Sequence, residues 1–129
     1  MQVILIHEGS ARKVSALSLN KGLPIYQAEL FPVLDRRTKL KIVNYIDFLS
    51  ASTFPVTNTS ISKKLTGYNN LYELLPKPVR LFFFMLGKDA IITHGYVKKK
   101  NKTDKSEIDR AQTLKDRFLR EEGDDGSVR

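Results

Sequence analysis

The feature that most constrains the fold is a pair of strongly apolar runs, Val79–Leu86 and Ala90–Val97, separated by Gly87-Lys88-Asp89. Continuous apolar runs of about eight residues bounded by turn residues are typical of strands that are buried on both faces. The pattern therefore predicts a central β-hairpin. Arg80 and His94 are ionisable exceptions within it. Because an unpaired cation is costly to bury, Arg80 must either reach outward or be held for a purpose.

The pairing of these two strands decides which side chains share a face of the sheet. If the connection is a three-residue hairpin loop, Arg80 lies opposite Tyr96 and Phe82 lies opposite His94. Because side chains alternate between the two faces of a sheet, Arg80, His94, Tyr96 and Lys98 would then form one cluster. A two-residue loop would separate Arg80 from the other three residues.

The charge of the chain is the first indication of a partner. There are 22 Lys and Arg residues against 14 Asp and Glu residues, which gives a net charge of +8 and a pI near 9.8. Much of the basic excess falls between Lys98 and Lys105, whereas acidic residues are concentrated near the C-terminus. Such basicity is typical of proteins that bind a phosphate-rich or otherwise acidic partner. A lysine-rich loop that only keeps the protein soluble is the alternative.

Length and composition exclude several classes of protein. A chain of 129 residues with 41% hydrophobic residues can close one core, so we expect a single domain over residues 1–122 and a disordered tail over 123–129. No run approaches the roughly 20 apolar residues of a membrane span, and the N-terminus lacks a signal pattern, so we expect a cytoplasmic protein without membrane contact. The absence of cysteine excludes disulfides and thiol catalysis. Because the only histidines are His7 and His94, we expect no metal site and no cofactor.

The N-terminal half predicts one strand and a broken helix. Val3 to Ile6 is a short apolar run that indicates a buried first strand. Residues 11–21 carry no strong signal, so they are predicted as a loop, with a short strand or helix left open. A helix is expected to begin near Pro24, and it cannot continue smoothly past Pro32.

Two further helices follow from the spacing of apolar residues. The first runs from Asp35 or Thr38 to Ser50, and the second begins with Ser106 as its N-cap and docks on the body of the protein. The apolar stripe of the first of these helices is expected to supply core. Its members are Leu40, Ile42, Val43, Tyr45, Ile46, Phe48 and Leu49.

The predicted cluster has the chemistry needed to cleave RNA. RNA carries its own nucleophile, the 2′-hydroxyl group, so an enzyme needs only to move protons and stabilise the charge at phosphorus. Arg80 can bind the phosphate through its guanidinium, and His94 can act as a general acid or base near neutral pH. Tyr96 can stack on a base or orient the attacking group. Lys98 completes the candidate catalytic set, and a purely structural histidine is the alternative for position 94. The candidate RNA-binding residues are Lys63, Lys64, Lys77, Lys99, Lys100 and Lys102.

Several segments carry a family resemblance. In order and spacing, they resemble the phage-derived, HigB-like branch of the RelE/ParE superfamily, the toxins of type II toxin–antitoxin systems. The segments are Leu71 to Leu74, Val79 to Phe84, Ile92 to Lys99, Lys102-Thr103 and Lys105 to Ala111. The resemblance implies a small α+β fold in which an antiparallel sheet packs against an N-terminal helical pair, with a C-terminal helix.

The resemblance also implies an activity and partners. The activity would be ribosome-dependent cleavage of mRNA, without metal or cofactor. The partners would be mRNA on the ribosome and a cognate antitoxin, expected to be a helix-turn-helix protein that alone contacts operator DNA. By position, Arg80 matches the phosphate-binding arginine of the family, and His94, Tyr96 and Lys98-Lys99 match its last-strand motif.

One departure from the family pattern bears on activity. Where the family commonly carries an arginine directly after Tyr-Glu-Leu, this chain has Leu75. Either Lys77 or Lys63 supplies the missing cation, or catalysis is weakened. Two alternatives to a ribonuclease therefore stay open: a non-enzymatic ParE-like inhibitor of gyrase, and an inactive member that acts only within the antitoxin complex.

Overall fold

One sheet of six strands organises the part of the chain that the computed structural model describes, which is residues 1–19, 22–53, 60–100 and 103–124. The strands are β1 (Gln2–Glu8), β2 (Lys13–Ser18), β3 (Ser62–Lys64), β4 (Tyr72–Leu74), β5 (Val79–Leu86) and β6 (Asp89–Val97). Their order across the sheet is β1-β2-β6-β5-β4-β3. Neighbouring strands are antiparallel except for β2 and β6, which are parallel. The predicted α+β class is confirmed, although the sheet is mixed.

Helices cover both faces of this sheet. They are α1 (Ile25–Leu30), α2 (Arg36–Ala51) and α3 (Lys105–Asp124). The helices α1 and α2 pack with β2, β4, β5 and β6 in one apolar core, and a 3-10 turn at the predicted proline break separates them. The helix α3 packs on the other side of the sheet, against the rings of Phe82 and Phe84. We call these sides the α2 face and the α3 face.

The central hairpin differs from the prediction in its turn. Leu86 pairs with Asp89, so the loop contains only Gly87 and Lys88, and the predicted three-residue loop is wrong. Gly87 has φ +63°, a left-handed conformation that glycine adopts without steric cost. With this turn alone, Arg80 would have faced away from the predicted cluster.

A β-bulge further along the same hairpin restores the predicted register. Phe83 pairs with Ile92, but Leu81 pairs with Gly95, so two residues of β6 lie opposite the single residue Phe82. The extra residue shifts the pairing by one position. Arg80 therefore lies opposite Tyr96, as predicted.

The bulge leads to a close approach between β6 and α1. A Cβ atom built at Gly95 would lie 2.7 Å from the carbonyl oxygen of Arg80 and 3.0 Å from Cδ1 of Leu30. Any side chain at position 95 would therefore clash with β5 and force the Leu30 side chain of α1 to move. Glycine at this position lets α1 pack against the end of β6 that β2 leaves uncovered.

Two predictions about the N-terminal half need correction, and one open alternative is decided. The first strand is an edge strand, and most of its side chains are exposed rather than buried. In the segment predicted as a loop, with a short strand or helix left open, residues 13–18 form the strand β2, whose Val14 and Ala16 are completely buried. In α2, Ile42, Ile46 and Leu49 are buried as expected. Three members of the predicted stripe are exposed instead, namely Leu40, Val43 and Phe48.

The end of the chain also differs in detail. The residue that caps α3 is Asp104, not Ser106, because its carboxylate accepts the backbone N–H of Ser106 at 2.9 Å. The backbone of α3 continues to Asp124, and residues 125–129 of the predicted tail lie outside the described residues. No helix among the described residues is both long enough and apolar enough to cross a membrane.

A basic cleft as the candidate functional site

A cleft of about 410 Å³ opens where β5 begins and β6 ends, and we call it the basic cleft. It is lined by Lys77, Pro78, Arg80, Lys98, Lys99 and Lys100. A neighbouring depression of about 620 Å³ shares the three C-terminal lysines of this set and adds Tyr96 and Thr103. The depression also contains Lys105 and two carboxylates, Asp104 and Glu107, where α3 begins, so the cations are concentrated in the part that the two share.

Arg80 lies at the floor of the basic cleft, and its guanidinium is not satisfied by the protein. The side chain is only 7% exposed, yet Nε and Nη1 have no hydrogen-bond partner among the described residues. An unsatisfied buried donor costs about 1–3 kcal/mol, and more when it is charged. A group held at such a cost beside a cleft is well suited to bind an anion that enters the cleft.

Arg12 shows what a structural arginine looks like in this same fold. It is 8% exposed, almost as buried as Arg80. Its guanidinium donates hydrogen bonds to the carbonyl oxygens of Leu49 at 3.0 Å, Lys88 at 2.9 Å and Ser52 at 2.6 Å. The contrast indicates that the unpaired nitrogens of Arg80 are a local property of the basic cleft, since the fold can satisfy a buried guanidinium elsewhere.

Glu73 is a site residue that the sequence interpretation missed. Its side chain is completely buried on the α3 face, opposite Phe82 in the pairing of β4 with β5. One carboxylate oxygen accepts a hydrogen bond from Oγ1 of Thr103 at 2.7 Å, and the other lies 3.5 Å from Nζ of Lys63. The signal was present in the sequence, because Glu73 is a single carboxylate inside an otherwise apolar run.

The contacts of Glu73 and Tyr96 hold the segment that carries the cleft lysines. At its start, the backbone N–H of Lys98 donates to the carbonyl oxygen of Pro78 at 2.8 Å. At its end, Thr103 bonds to Glu73, and the backbone N–H of Asp104 donates to the Tyr96 hydroxyl at 3.0 Å. Lys98, Lys99 and Lys100 therefore project from a segment that is fixed to the sheet at both ends.

Burial and nearby charge change the acidity of two residues at the cleft. Burial lowers the pKa of Lys98, and the positive charge of Arg80 lowers it further. The charge of Glu73 opposes this shift, so the net effect is a pKa below that of an ordinary lysine. Burial raises the pKa of Tyr96, so its hydroxyl stays protonated. Tyr96 also stacks on Phe82 with the two rings nearly parallel.

His94 lies on the predicted face but beneath α3. The side chain is completely buried, stacks on Phe82, and has Nε2 3.0 Å from a carboxylate oxygen of Glu107. Burial is the main reason that the pKa of His94 is lowered. His94 is not among the described residues that line the basic cleft.

The two lysines of β3 separate because side chains alternate along a strand. Lys63 pairs with Glu73 and so lies on the α3 face beside the basic cleft. Lys64 pairs with Tyr72, whose ring stacks on Phe83 of the core beneath α2, so Lys64 belongs to the other face. The structure therefore does not bring Lys63 and Lys64 together on one face of the sheet.

Replacing Lys63 with alanine is expected to weaken the binding of single-stranded RNA about five- to tenfold. It should also reduce the slope of log binding constant against log salt concentration by roughly one, since one fewer counterion is released. The matched variant Lys64→Ala should bind like the wild type, because its side chain leaves the opposite face. Fluorescence anisotropy with a labelled oligonucleotide at several salt concentrations measures both quantities. Equal losses in the two variants would contradict the assignment of Lys63.

The remaining predicted residues are distributed as follows. Arg80, Lys77, Lys98, Lys99 and Lys100 meet in the basic cleft, and Tyr96 lines the adjoining depression. Lys102 lies outside the described residues. Leu75, where the resemblance implies an arginine, is apolar and 8% exposed, so the position contributes no cation to the cleft.

The fold and the basic cleft together define a small α+β protein with a cation-lined surface at the end of its sheet. A family model described as "Phage derived protein Gp49-like (DUF891)" matches residues 29–116, which include every described residue of the cleft. The chain belongs to this Gp49-like family, which is a family of RelE-type toxins and implies an antitoxin partner. No curated protein matches the chain.

Proposed function

We propose that this chain is the toxin of a type II toxin–antitoxin system, of the HigB-like branch, and that it cleaves mRNA on the ribosome in the cytoplasm. The observation that carries the proposal is the unsatisfied guanidinium of Arg80 at the floor of a cleft lined by lysines. Membership of a family of RelE-type toxins supports a ribonuclease over other uses of an anion site. Dependence on the ribosome follows from the family resemblance.

The proposed reaction is an internal attack within the RNA. The 2′-hydroxyl loses its proton, its oxygen bonds to the adjacent phosphorus, and the bond from phosphorus to the 5′ oxygen breaks. The products are a 2′,3′-cyclic phosphate and a 5′-hydroxyl end, which takes up one proton. RNA supplies the nucleophile in this scheme, so the protein needs only to orient it, to stabilise charge and to move protons.

Arg80 and Lys98 take the central roles in this scheme. Arg80 stabilises the negative charge that builds up on the phosphoryl oxygens, because its donors are already positioned and carry no competing bonds to the described residues. Lys98, with its lowered pKa, accepts the proton of the 2′-hydroxyl group. Tyr96 offers a flat ring at the edge of the cleft for stacking on a base.

The other lysines of the surface bind the RNA backbone. Lys99, Lys100 and Lys77 line the basic cleft, and Lys63 supplies a further cation beside Glu73. These contacts would hold neighbouring phosphates and are expected to be sensitive to salt. Lys63 and Lys77 are also the cations that stand in for the arginine missing at Leu75.

Inducing the chain alone should arrest growth and leave mRNA fragments with cyclic phosphate and 5′-hydroxyl ends. Sequencing of those ends identifies the cleavage chemistry. Incubating the purified protein with mRNA, with and without translating ribosomes, tests whether cleavage depends on the ribosome. Arrest with DNA damage and intact transcripts would replace the proposal with gyrase inhibition. Absence of toxicity at every expression level would instead favour an inactive member of an antitoxin complex.

The proposed antitoxin is a small helix-turn-helix protein, and operator DNA would be contacted only through it. A cation-lined cleft favours an acidic partner, because such a partner would shield the lysines that RNA needs. Gel filtration of this chain, with and without the product of the adjacent open reading frame, tests for the complex.

A further inference from the structure

The outer side of α2 exposes large apolar side chains that the sequence pattern assigned to the core. Leu40, Val43 and Phe48 are 52%, 55% and 56% exposed, whereas the opposite side of the same helix is buried against the sheet. Single exposed apolar residues need no explanation, but several on one side of a helix mark an interaction surface. We call these three residues the α2 patch.

The surroundings of the α2 patch are basic. The first turns of α2 carry Arg36, Arg37, Lys39 and Lys41, and the only acidic residue within the helix is Asp47. A groove of about 580 Å³ on this helix is lined by Arg36, Arg37, Leu40, Lys41, Asn44 and Tyr45. The surface thus combines the apolar α2 patch with a basic border at its N-terminal end, next to Leu40, while the exposed carboxylate of Asp47 lies beside Val43 and Phe48. An amphipathic segment with acidic residues over the first turns of α2 and apolar residues beyond them complements this surface.

We propose that the α2 patch and its basic border are the docking surface for an amphipathic, acidic segment of the antitoxin. This inference rests on the chain acting as a toxin with a protein partner, but it does not depend on the chain cleaving RNA. The apolar side chains of the partner cover Leu40, Val43 and Phe48. Its acidic side chains pair with the arginines and lysines of the first two turns of α2.

The position of this surface explains how docking would silence the basic cleft. Nζ of Lys41 donates a hydrogen bond to the carbonyl oxygen of Lys77 at 3.0 Å, and Lys77 is a lining residue of the cleft. Lys41 also lines the groove on α2. An acidic segment that pairs with Lys41 would therefore lie next to Lys77, at the rim of the cleft. From that position its carboxylates would compete with RNA phosphates for Lys77.

The test compares two pairs of exposed apolar residues that lie on different parts of the molecule. The double variant Leu40→Glu/Phe48→Glu places negative charge on the α2 patch. The matched control, Val3→Glu/Leu5→Glu, changes two side chains of β1 that are 41% and 53% exposed. All four positions are at the surface, and a thermal melt of each variant verifies that it folds.

Isothermal titration calorimetry with the purified product of the adjacent open reading frame measures the dissociation constant of each complex. We expect the α2 variant to bind about 100-fold more weakly than the wild type, and the β1 control to bind unchanged. The α2 variant alone should still cleave RNA, and the neighbouring product should no longer relieve its toxicity. Cleavage by the unbound chain reports on the proposed function separately.

Three results would overturn the inference. The first is an α2 variant that binds as tightly as the wild type, and the second is a neighbouring product that forms no complex with the chain. The third is a dimer of this chain that the α2 substitutions dissociate, because the α2 patch would then be covered by a second copy. None of these results would contradict the proposed role of Arg80 in the basic cleft.

Discussion

Replacing Arg80 with methionine is expected to lower the rate of RNA cleavage about 100- to 1,000-fold, the usual effect of removing one positioned donor from a developing oxyanion. The same substitution should leave the free energy of unfolding unchanged or raise it. The reason is that Nε and Nη1 of Arg80 are buried without hydrogen-bond partners among the described residues, so methionine removes an uncompensated charge at similar volume. Thermal melts and cleavage rates per folded molecule measure the two effects.

Arg12→Met is the matched control for this prediction. Arg12 is buried to the same degree, but its guanidinium satisfies three carbonyl oxygens. Its loss should cost about 3 kcal/mol of stability and leave cleavage per folded molecule unchanged. Opposite responses of the two arginines would identify Arg80 as a functional residue. Equal destabilisation with normal cleavage in both variants would show that Arg80 is structural.

The sequence correctly predicted that Arg80 pairs with Tyr96, but the structural reason for this pairing differs from the predicted one. Alternation and turn residues indicated the hairpin, yet the actual loop is one residue shorter than predicted and a bulge opposite Phe82 compensates for it. A bulge leaves no pattern of its own in a continuously apolar strand. Here the two residues opposite Phe82 are Thr93 and His94, both completely buried, and His94 contacts Glu107 of α3, which is a tertiary contact. The pairing register of two continuously apolar strands can therefore be assigned only when their tertiary packing is known.

The sequence pattern also could not decide which apolar residues of α2 are buried. Seven apolar positions cover more of the helix than one sheet can contact, so periodicity identified the helix but not its orientation. The orientation follows from Ile42, Ile46 and Leu49 reaching β2 and β6. Glu73 stood out in the sequence as a single carboxylate in an apolar run, but its role could not be assigned, since its two partners, Lys63 and Thr103, come from separate parts of the chain.

Replacing His94 with alanine is expected to cost about 3 kcal/mol of stability, because it removes a completely buried ring that stacks on Phe82 and pairs with Glu107. Cleavage per folded molecule should stay close to that of the wild type. The reason for this expectation is that His94 is completely buried beneath α3 and contacts Glu107 of that helix. Arg110 of the same helix pairs with Glu29, so we interpret His94 as part of the contact that holds α3 in place.

The pH dependence of stability separates a structural His94 from a catalytic one. Burial lowers the pKa of His94 in the folded protein, so the unfolded chain takes up a proton near pH 6.5 while the folded chain resists it. Stability from this residue is therefore complete above about pH 6.5 and falls as the pH decreases toward the lower folded value. His94→Gln, which cannot titrate, should show a flatter fall in urea melts across this range. A variant that folds as stably as the wild type at every pH but cleaves about 100-fold more slowly would assign His94 to catalysis, and α3 would then have to move to admit RNA.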